Sequence, residues 1–249
     1  MHDPRHFVAT TLATFFIAGT AHANPQTEPS TSSVEDAGDS MWHGELLEQP
    51  VSWQLRLGWE TTSFRLHDLP FSGIAEEPHT WSIKYRTAGL PFRLVTHGAV
   101  LQPNLIYQPS TLPLQLLGGL VVGMGFGAPA RYAYQSGDVS VRPDPEQGAF
   151  ALRGGASLGL RVPIDRFALR GQLVPGVVML TVDEIVMSPE GEARGTSAAV
   201  TETVRGQTGL DIRLLDDVPF GLTVDVGYDF ARPGSWNLGA GIALLSEPE

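Results

Sequence analysis

The C-terminal part of the sequence alternates between apolar residues and small or acidic residues with a period of two. From Phe220 to Phe230 every second residue is apolar. The residues between them are Gly221, Thr223, Asp225, Gly227 and Asp229. After residues 231–235 the alternation resumes, from Trp236 to Leu244. Because successive side chains of a β-strand point to opposite faces, the pattern predicts a hairpin with one apolar face and one polar face.

The N-terminus has the features of a secretory signal peptide, which we assign to residues 1–23. Arg5 precedes an apolar stretch, and Ala21-His22-Ala23 fits the small residues of a cleavage site. Cleavage there would leave a chain that begins at Asn24. Residues 24–50 contain six acidic residues and no Lys or Arg. We therefore expect a disordered acidic linker, with docking to a basic partner as the functional alternative.

Composition excludes several classes of protein. The formal net charge of −11 argues against general nucleic-acid binding. The chain has no cysteine, so it has no disulfide framework and no thiol chemistry. No apolar run approaches the length of a transmembrane helix. The remaining choices for an exported chain are a soluble protein and a membrane-spanning barrel of strands.

The segment from Val51 to the C-terminus reads as a series of β-strands. Ten strands are favoured, at residues 51–64, 80–87, 92–101, 114–127, 131–141, 150–162, from 167 onward, 199–214, 220–230 and 236–244. The links at 87–91, 127–130, 163–166 and 215–219 are short, whereas those at 65–79, 102–112, 142–149, 188–198 and 231–235 are mostly longer. Alternating short and long links are typical of a transmembrane barrel with periplasmic turns and extracellular loops. An eight-strand count is the alternative, because the strand at 131–141 is weak.

Aromatic residues cluster where the predicted strands end. Beside the short turns lie Tyr85, Phe92, Phe126, Phe167 and Phe220. Beside the longer links lie Trp81, Tyr107, Phe150, Phe230 and Trp236. Two aromatic belts are expected at the two interfaces of a membrane, and a soluble sandwich with aromatic strand ends is the alternative.

In this pattern of strands, links and aromatic belts, residues 51–246 resemble the small outer-membrane β-barrel proteins of Gram-negative bacteria. The resemblance is one of architecture and includes no family-specific motif. It implies a closed antiparallel up-and-down barrel over residues 51–249, located in outer-membrane lipid as a monomer, with loops able to contact an extracellular ligand. Such barrels typically end on an aromatic residue, whereas this sequence ends Ser246-Glu247-Pro248-Glu249.

The parity of each predicted strand places nine basic and four acidic residues on the side away from the apolar face. They are Arg56, Glu60, Lys84, Arg86, Arg93, Arg153, Arg161, Arg170, Arg205, Asp211, Arg213, Asp225 and Asp229. Charges inside a narrow barrel must pair, so we expect an arginine–carboxylate network that fills the lumen. The five surplus positive charges could instead line a thin anion-favouring path, or be neutralised by Asp183, Glu184 or Glu190. Glycines on the same side, such as Gly123 and Gly155, leave room for the arginines.

The sequence contains fragments that resemble catalytic motifs, but none lies in the secondary structure that its motif requires. Residues 118–127 and 155–159 contain glycine patterns of nucleotide-binding and hydrolase motifs, but both lie within alternating strands. His67, Asp68 and His79, with the pair Glu76-Glu77, could form a loop site for a base or a metal. We expect no cofactor, no metal and no nucleic-acid partner. The favoured function is a structural, adhesive or weakly permeating (porin-like) barrel; an embedded hydrolase and a soluble β-sandwich or ligand-binding barrel are the alternatives.

Overall fold

The computed structural model describes residues 51–66, 69–77, 81–87, 92–109, 112–128, 132–214 and 219–246. The predicted signal peptide, the acidic linker, His67, Asp68 and His79 lie outside these residues. Every regular element within the described ranges is a β-strand, and the pairings are antiparallel throughout. The predicted all-β antiparallel fold is therefore confirmed. In this part of the chain no helix is long and apolar enough to cross a membrane.

The strands follow the periodicity of the sequence. Among the described residues they are β1 Val51–Leu66, β2 Phe71–Glu77, β3 Trp81–Thr87, β4 Phe92–Tyr107, β5 Gln115–Gly127, β6 Tyr134–Ser136, β7 Val139–Pro143, β8 Ala149–Ile164, β9 Phe167–Ser188, β10 Gly191–Arg213, β11 Phe220–Asp229 and β12 Trp236–Leu245. The longest are β9 and β10, which form one continuous hairpin.

Eight of the described strands pair in a closed cycle, which we call the ring. Its order is β1, β4, β5, β8, β9, β10, β11 and β12, and β12 pairs back onto β1 from Leu245 to Trp236. Each of these strands has a hydrogen-bonded neighbour on both sides. Closure of this kind removes the free edges that an open sheet would present.

Beyond the ring, the β9–β10 hairpin continues and carries two smaller hairpins. β2 pairs with β10 over Arg194–Ala198, and β7 pairs with β9 over Glu184–Met187. β3 and β6 complete the two hairpins. We call these four strands, together with residues 183–198 of β9 and β10, the extension. The end of the ring that carries it is the extension rim. The opposite end, where the strands end or begin at Tyr107, Gln115, Ile164, Phe167 and Phe220, is the turn rim.

This topology corresponds to the eight-strand alternative rather than to the favoured count of ten. The predicted strands at 80–87 and 131–141 belong to the hairpins of the extension. Their alternation is explained by a separate apolar cluster inside the extension, formed by Ala75, Val141, Val186 and Ala193. Phe92 and Gly127, which flank the links predicted at 87–91 and 127–130, consequently lie at the extension rim. The link predicted at 102–112 falls on the turn rim, because β4 continues to Tyr107.

The ring has apolar side chains outside and polar side chains inside. On β11 the outward Val224 is 45% exposed, whereas its neighbours Thr223 and Asp225 are 2% and 8% exposed. The same alternation runs through β1, where Leu57 and Trp59 are exposed and Arg56 and Glu60 are buried. A water-soluble protein shows the opposite arrangement, so the distribution is that of a barrel wall that faces lipid.

Aromatic residues lie at both rims, with a membership that differs from the predicted belts. Phe126 and Phe150 are in contact at the extension rim, with ring centroids 5.1 Å apart. Tyr228 and Phe230 are 5.8 Å apart at the same rim. Tyr107 ends β4 at the turn rim, where Phe167 and Phe220 begin β9 and β11. Phe126 thus lies in the belt predicted for Tyr107, and Tyr107 lies in the belt predicted for Phe126. The reason is that β4 and β5 run in the directions opposite to those predicted, so their ends lie at the opposite rims.

Toward the extension rim, the interior of the ring changes from polar to apolar. Phe64, Leu66 and Leu94 continue the inward faces of β1 and β4, and Val178 and Leu180 continue that of β9. Phe71 of the extension joins the same cluster. We call this group the apolar cap, because it covers the polar interior on the side of the extension.

The topology predicts that the β6–β7 hairpin is dispensable for closure of the ring. Replacing residues 134–141 by a short Gly-Ser linker should preserve the difference in gel migration between boiled and unboiled protein, since no ring pairing is lost. Deleting the same number of residues from β11, at 221–228, is the matched control and should abolish that difference. Loss of the difference in the first variant would indicate that this hairpin is part of the barrel wall.

Candidate functional site

Most of the predicted charged residues lie inside the ring. The buried ones are Arg56, Glu60, Arg153, Arg170, Arg205, Asp211, Asp225 and Asp229. The side chain of Arg161 is 12% exposed, and Arg213 is half-buried at the turn rim. We call this set the lumen network. Its residues come from β1, β8, β9, β10 and β11, so only the closed ring brings them together.

Three predicted members lie elsewhere. Lys84 and Arg86 are exposed on β3 of the extension. Arg93 is exposed on the outer side of β4, because Leu94 and Thr96 occupy the inward positions. Without these three, six basic residues face four acidic ones, so most of the predicted surplus of positive charge disappears. Asp183, Glu184 and Glu190, the loop acids considered as neutralising partners for this surplus, lie in the extension.

Two carboxylates organise the part of the lumen network nearer the turn rim. Asp211 accepts hydrogen bonds from Arg170 Nη1 at 2.7 Å and from Gln54 Nε2 at 3.1 Å, and Arg161 Nε lies at 3.4 Å. Asp225 forms ion pairs with both Arg56 and Arg170. Each carboxylate therefore bridges two arginines, an arrangement that offsets part of the cost of burying the charges.

A third carboxylate, Glu60, organises the part nearer the apolar cap. It forms an ion pair with Arg153, its Oε1 accepts a hydrogen bond from Thr62 Oγ1 at 2.6 Å, and Arg205 Nη1 lies at 3.4 Å. Asp229 has a different role. Its Oδ1 accepts hydrogen bonds from the backbone N–H groups of Ala231 at 3.0 Å and Val204 at 3.2 Å. These bonds stabilise the β11–β12 turn.

Neutral polar side chains complete the network, and none of them is among the residues predicted from the sequence. Gln102 donates to Gln172 at 2.9 Å, and Gln172 donates to Gln207 at 2.8 Å. Ser157 donates to Asn104 Oδ1 at 3.1 Å. The signal that could have identified these residues is the same strand parity that identified the arginines. Ser157 lies within β8, so residues 155–159 do not form the sharp turn that a nucleophile elbow requires.

Glycines lie directly opposite the long buried side chains. Gly123 pairs with Arg153, and Gly209 pairs with Arg170. A methyl group at Gly123 would overlap the guanidinium of Arg153. A methyl group at Gly209 would overlap the guanidinium of Arg170 and the carboxylate of Asp225. The inward glycines thus provide the space in which the guanidinium groups cross the lumen, as their position on the polar face predicts.

The open space inside the ring is uneven. A cavity of about 370 Å³ opens at the turn rim and is lined by Gln115, Arg161, Asp211 and Arg213, among others. Between Glu60, Arg153 and the apolar cap, a void of about 10 Å³ is large enough for roughly one water molecule. The larger space thus lies at the turn rim, and the smaller one lies beside the apolar cap.

The extension contains its own buried polar group. The Glu184 carboxylate is buried and accepts hydrogen bonds from the hydroxyl groups of Tyr85 and Tyr132. Burial raises the pKa of both tyrosines, and the adjacent Glu184 charge raises it further. These contacts join β3 and the segment before β6 to β9. Asp183 instead accepts a hydrogen bond from Thr196 at 2.7 Å.

The described part of the chain contains no cluster of three or more His, Asp or Glu side chains arranged to hold a metal. Of the loop site considered from the sequence, Glu76 is exposed on β2. The histidines and Asp68 of that site lie outside the described residues. His97 is on the outer side of β4, with Nδ1 2.9 Å from Thr61 Oγ1.

No known family model matches the sequence, and no curated protein matches it either. Similar solved structures include Ail, the attachment invasion locus protein of Yersinia pestis, at 13% identity and a TM-score of 0.36, covering 79% of this chain and 99% of that one. Neisserial surface protein A has 9% identity and a TM-score of 0.36, covering 76% and 96%. An outer-membrane channel from Pseudomonas putida F1 has 10% identity and a TM-score of 0.31, covering 80% and 97%. At scores this low the similarities carry no argument about this chain, whose fold follows from its own strand pairing.

The packing of arginine against glycine predicts an asymmetric effect of two neighbouring substitutions. Gly209→Ala should destabilise the protein by about 1–3 kcal/mol, because the new methyl group displaces Arg170 from its carboxylates. Gly171→Ala is the matched control, since a methyl group there has no heavy atom within 4 Å. The midpoint of urea unfolding in vesicles measures both. Equal effects of the two variants would contradict the packing described.

Proposed function

We propose that the protein is an integral outer-membrane β-barrel with a closed lumen, whose extension is an extracellular contact surface. The observation that carries the proposal is the inverted polarity of the ring. Leu158, Trp59 and Leu105 are among the most exposed side chains, whereas the lumen network is buried. Exposed apolar surface costs about 25 cal/mol per Å² in water, so a wall of this kind is stable only against lipid.

The polarity also decides against the soluble β-sandwich. In a sandwich the apolar faces of two sheets meet and form the core. Here the apolar faces point away from one closed sheet, and the polar faces meet. A single chain completes the ring, so the proposed barrel needs no partner subunit. The predicted signal peptide would export the chain, and residues 24–50 would form an acidic linker on the periplasmic side.

A closed lumen is supported by the two layers that fill it. Ion pairs join β1, β8 and β9 to carboxylates on strands that are not their neighbours, and the apolar cap lies on the extension side of them. The void between the layers, of about 10 Å³, is large enough for roughly one water molecule. A structural or adhesive role is therefore better supported than permeation. The cavity at the turn rim ends against Asp211 and does not by itself form a path.

The extension supports the contact role. It continues the β9–β10 hairpin beyond the apolar band and has its own small core, which gives it a defined shape. Its outer face is charged, with Arg142, Glu192 and Arg194 more than half exposed. A rigid, charged and hydrated surface above a lipid-embedded wall is suited to binding an extracellular ligand. No specific observation favours the embedded hydrolase.

The proposal predicts that the protein remains in membranes after extraction with carbonate or urea. Val224→Arg should cost about 2–4 kcal/mol of stability in vesicles, because it places a charge on the lipid-facing side of β11. Glu192→Arg, on the outer face of the extension, is the control and should have little effect. Release of the wild-type protein without detergent, or a neutral Val224→Arg variant, would contradict the proposal.

The closed lumen predicts electrical silence. Purified protein reconstituted in a planar lipid bilayer should show no conductance steps, because the lumen network and the apolar cap leave no continuous aqueous path. Anion-selective steps that disappear in an Arg153→Gln and Arg161→Gln variant would instead support the permeating alternative. The gel migration of unboiled protein verifies that each sample is folded.

A further inference from the structure

Two arginines face each other on the outer surface of the ring. Arg65 of β1 is directly opposite Arg93 of β4 in the strand register. Both side chains are exposed, and both lie on the outward side, since Leu66 and Leu94 occupy the inward positions. Like charges directly opposite each other on one face of a sheet are destabilising. Among the described residues, neither guanidinium has an ion-pair partner.

The arginine pair lies just beyond the apolar band, at the extension rim. Ser63, two residues before Arg65, pairs with Trp236 of β12, and His97, four residues after Arg93, pairs with Phe126 of β5. Aromatic residues such as these mark the level of lipid headgroups in membrane proteins. A basic side chain at that level costs little, about 0–1 kcal/mol, whereas it is costly at the midplane.

The position of Arg65 is fixed by the β11–β12 turn. Its backbone N–H donates to Ser235 Oγ at 2.8 Å, and Ser235 is buried. Gly234 has a φ of 89°, and a methyl group there would lie 2.9 Å from Arg65 Cδ. The aliphatic part of the Arg65 side chain therefore packs across this turn. Because the side chain is already ordered without a ligand, binding costs less conformational entropy.

We propose that Arg65 and Arg93 form a site for the phosphate of a lipid headgroup in the outer leaflet. This inference rests on the proposed outer-membrane location. A phosphate group matches the planar fork of a guanidinium and can accept hydrogen bonds from two of them. It would also neutralise the repulsion between the two arginines. The site is thus a recognition element for phosphorylated lipid on the barrel wall, separate from the contact surface of the extension.

The test compares binding of fluorescent diphosphoryl lipid A to folded protein in nanodiscs of digalactosyldiacylglycerol, a bilayer lipid without phosphate. The Arg65→Gln and Arg93→Gln double variant should lose at least about tenfold in affinity, since hydrogen bonds to charged groups contribute strongly. Lys84→Gln with Arg86→Gln is the matched control, because both basic residues are exposed on β3 and neither lies opposite another basic residue in the strand register. The control should bind like the wild type.

Two competitors identify the recognised group. A phosphorylated lipid should displace the probe, whereas oleic acid and inorganic phosphate should not. Equal affinity of the double variant and the wild type, or displacement by oleic acid or inorganic phosphate as effective as by the phospholipid, would overturn the site. The single variant Arg93→Gln, which leaves the β11–β12 turn contacts intact, repeats the test if the double variant folds poorly. If the wild-type protein inserts into nanodiscs but does not bind lipid A, only this inference is overturned. If it does not insert, the proposed location in the membrane is overturned as well.

Discussion

The pairing of β12 with β1 is the constraint on which the rest of the structure depends. Within the described residues it closes the ring, so the backbone groups of the wall bond to neighbouring strands. A backbone satisfied in this way can face lipid, which has no hydrogen bonds to offer. The apolar side chains can then point outward without cost, and the polar ones are left to fill an enclosed interior. An open sheet of the same strands would have neither property.

The enclosed interior accounts for the lumen network. Buried charges are tolerated only with partners, and here Asp211, Asp225 and Glu60 each contact two arginines. The glycines opposite Arg153 and Arg170 give the guanidinium groups room to reach those carboxylates. Charge pairing and glycine placement are therefore two parts of one packing solution. Above it, the apolar cap separates the network from the extension, whose own core includes the buried Glu184.

Strand parity predicts the faces of the ring strands, except at the start of β4, where Arg93 lies on the outer side. It placed Arg56, Arg170 and Asp225 inside and Val224 outside, because alternation depends only on local backbone geometry. It failed where the partner of a strand matters. The strands at 80–87 and 131–141 alternate because they cover the core of the extension, so parity alone could not exclude them from the wall. The neutral amides Gln102 and Gln172 also face inward, but they carry no charge that would mark them as members of the network.

The most direct test of this account uses the absence of cysteine from the chain. Single cysteines at positions 222 to 227 of β11, spin-labelled in lipid vesicles, would report the accessibility of each position to oxygen and to a water-soluble nickel complex. We predict that oxygen accessibility is high at positions 222, 224 and 226 and low at 223, 225 and 227. An absence of alternation, or high accessibility of 222, 224 and 226 to the nickel complex, would contradict a lipid-facing apolar wall.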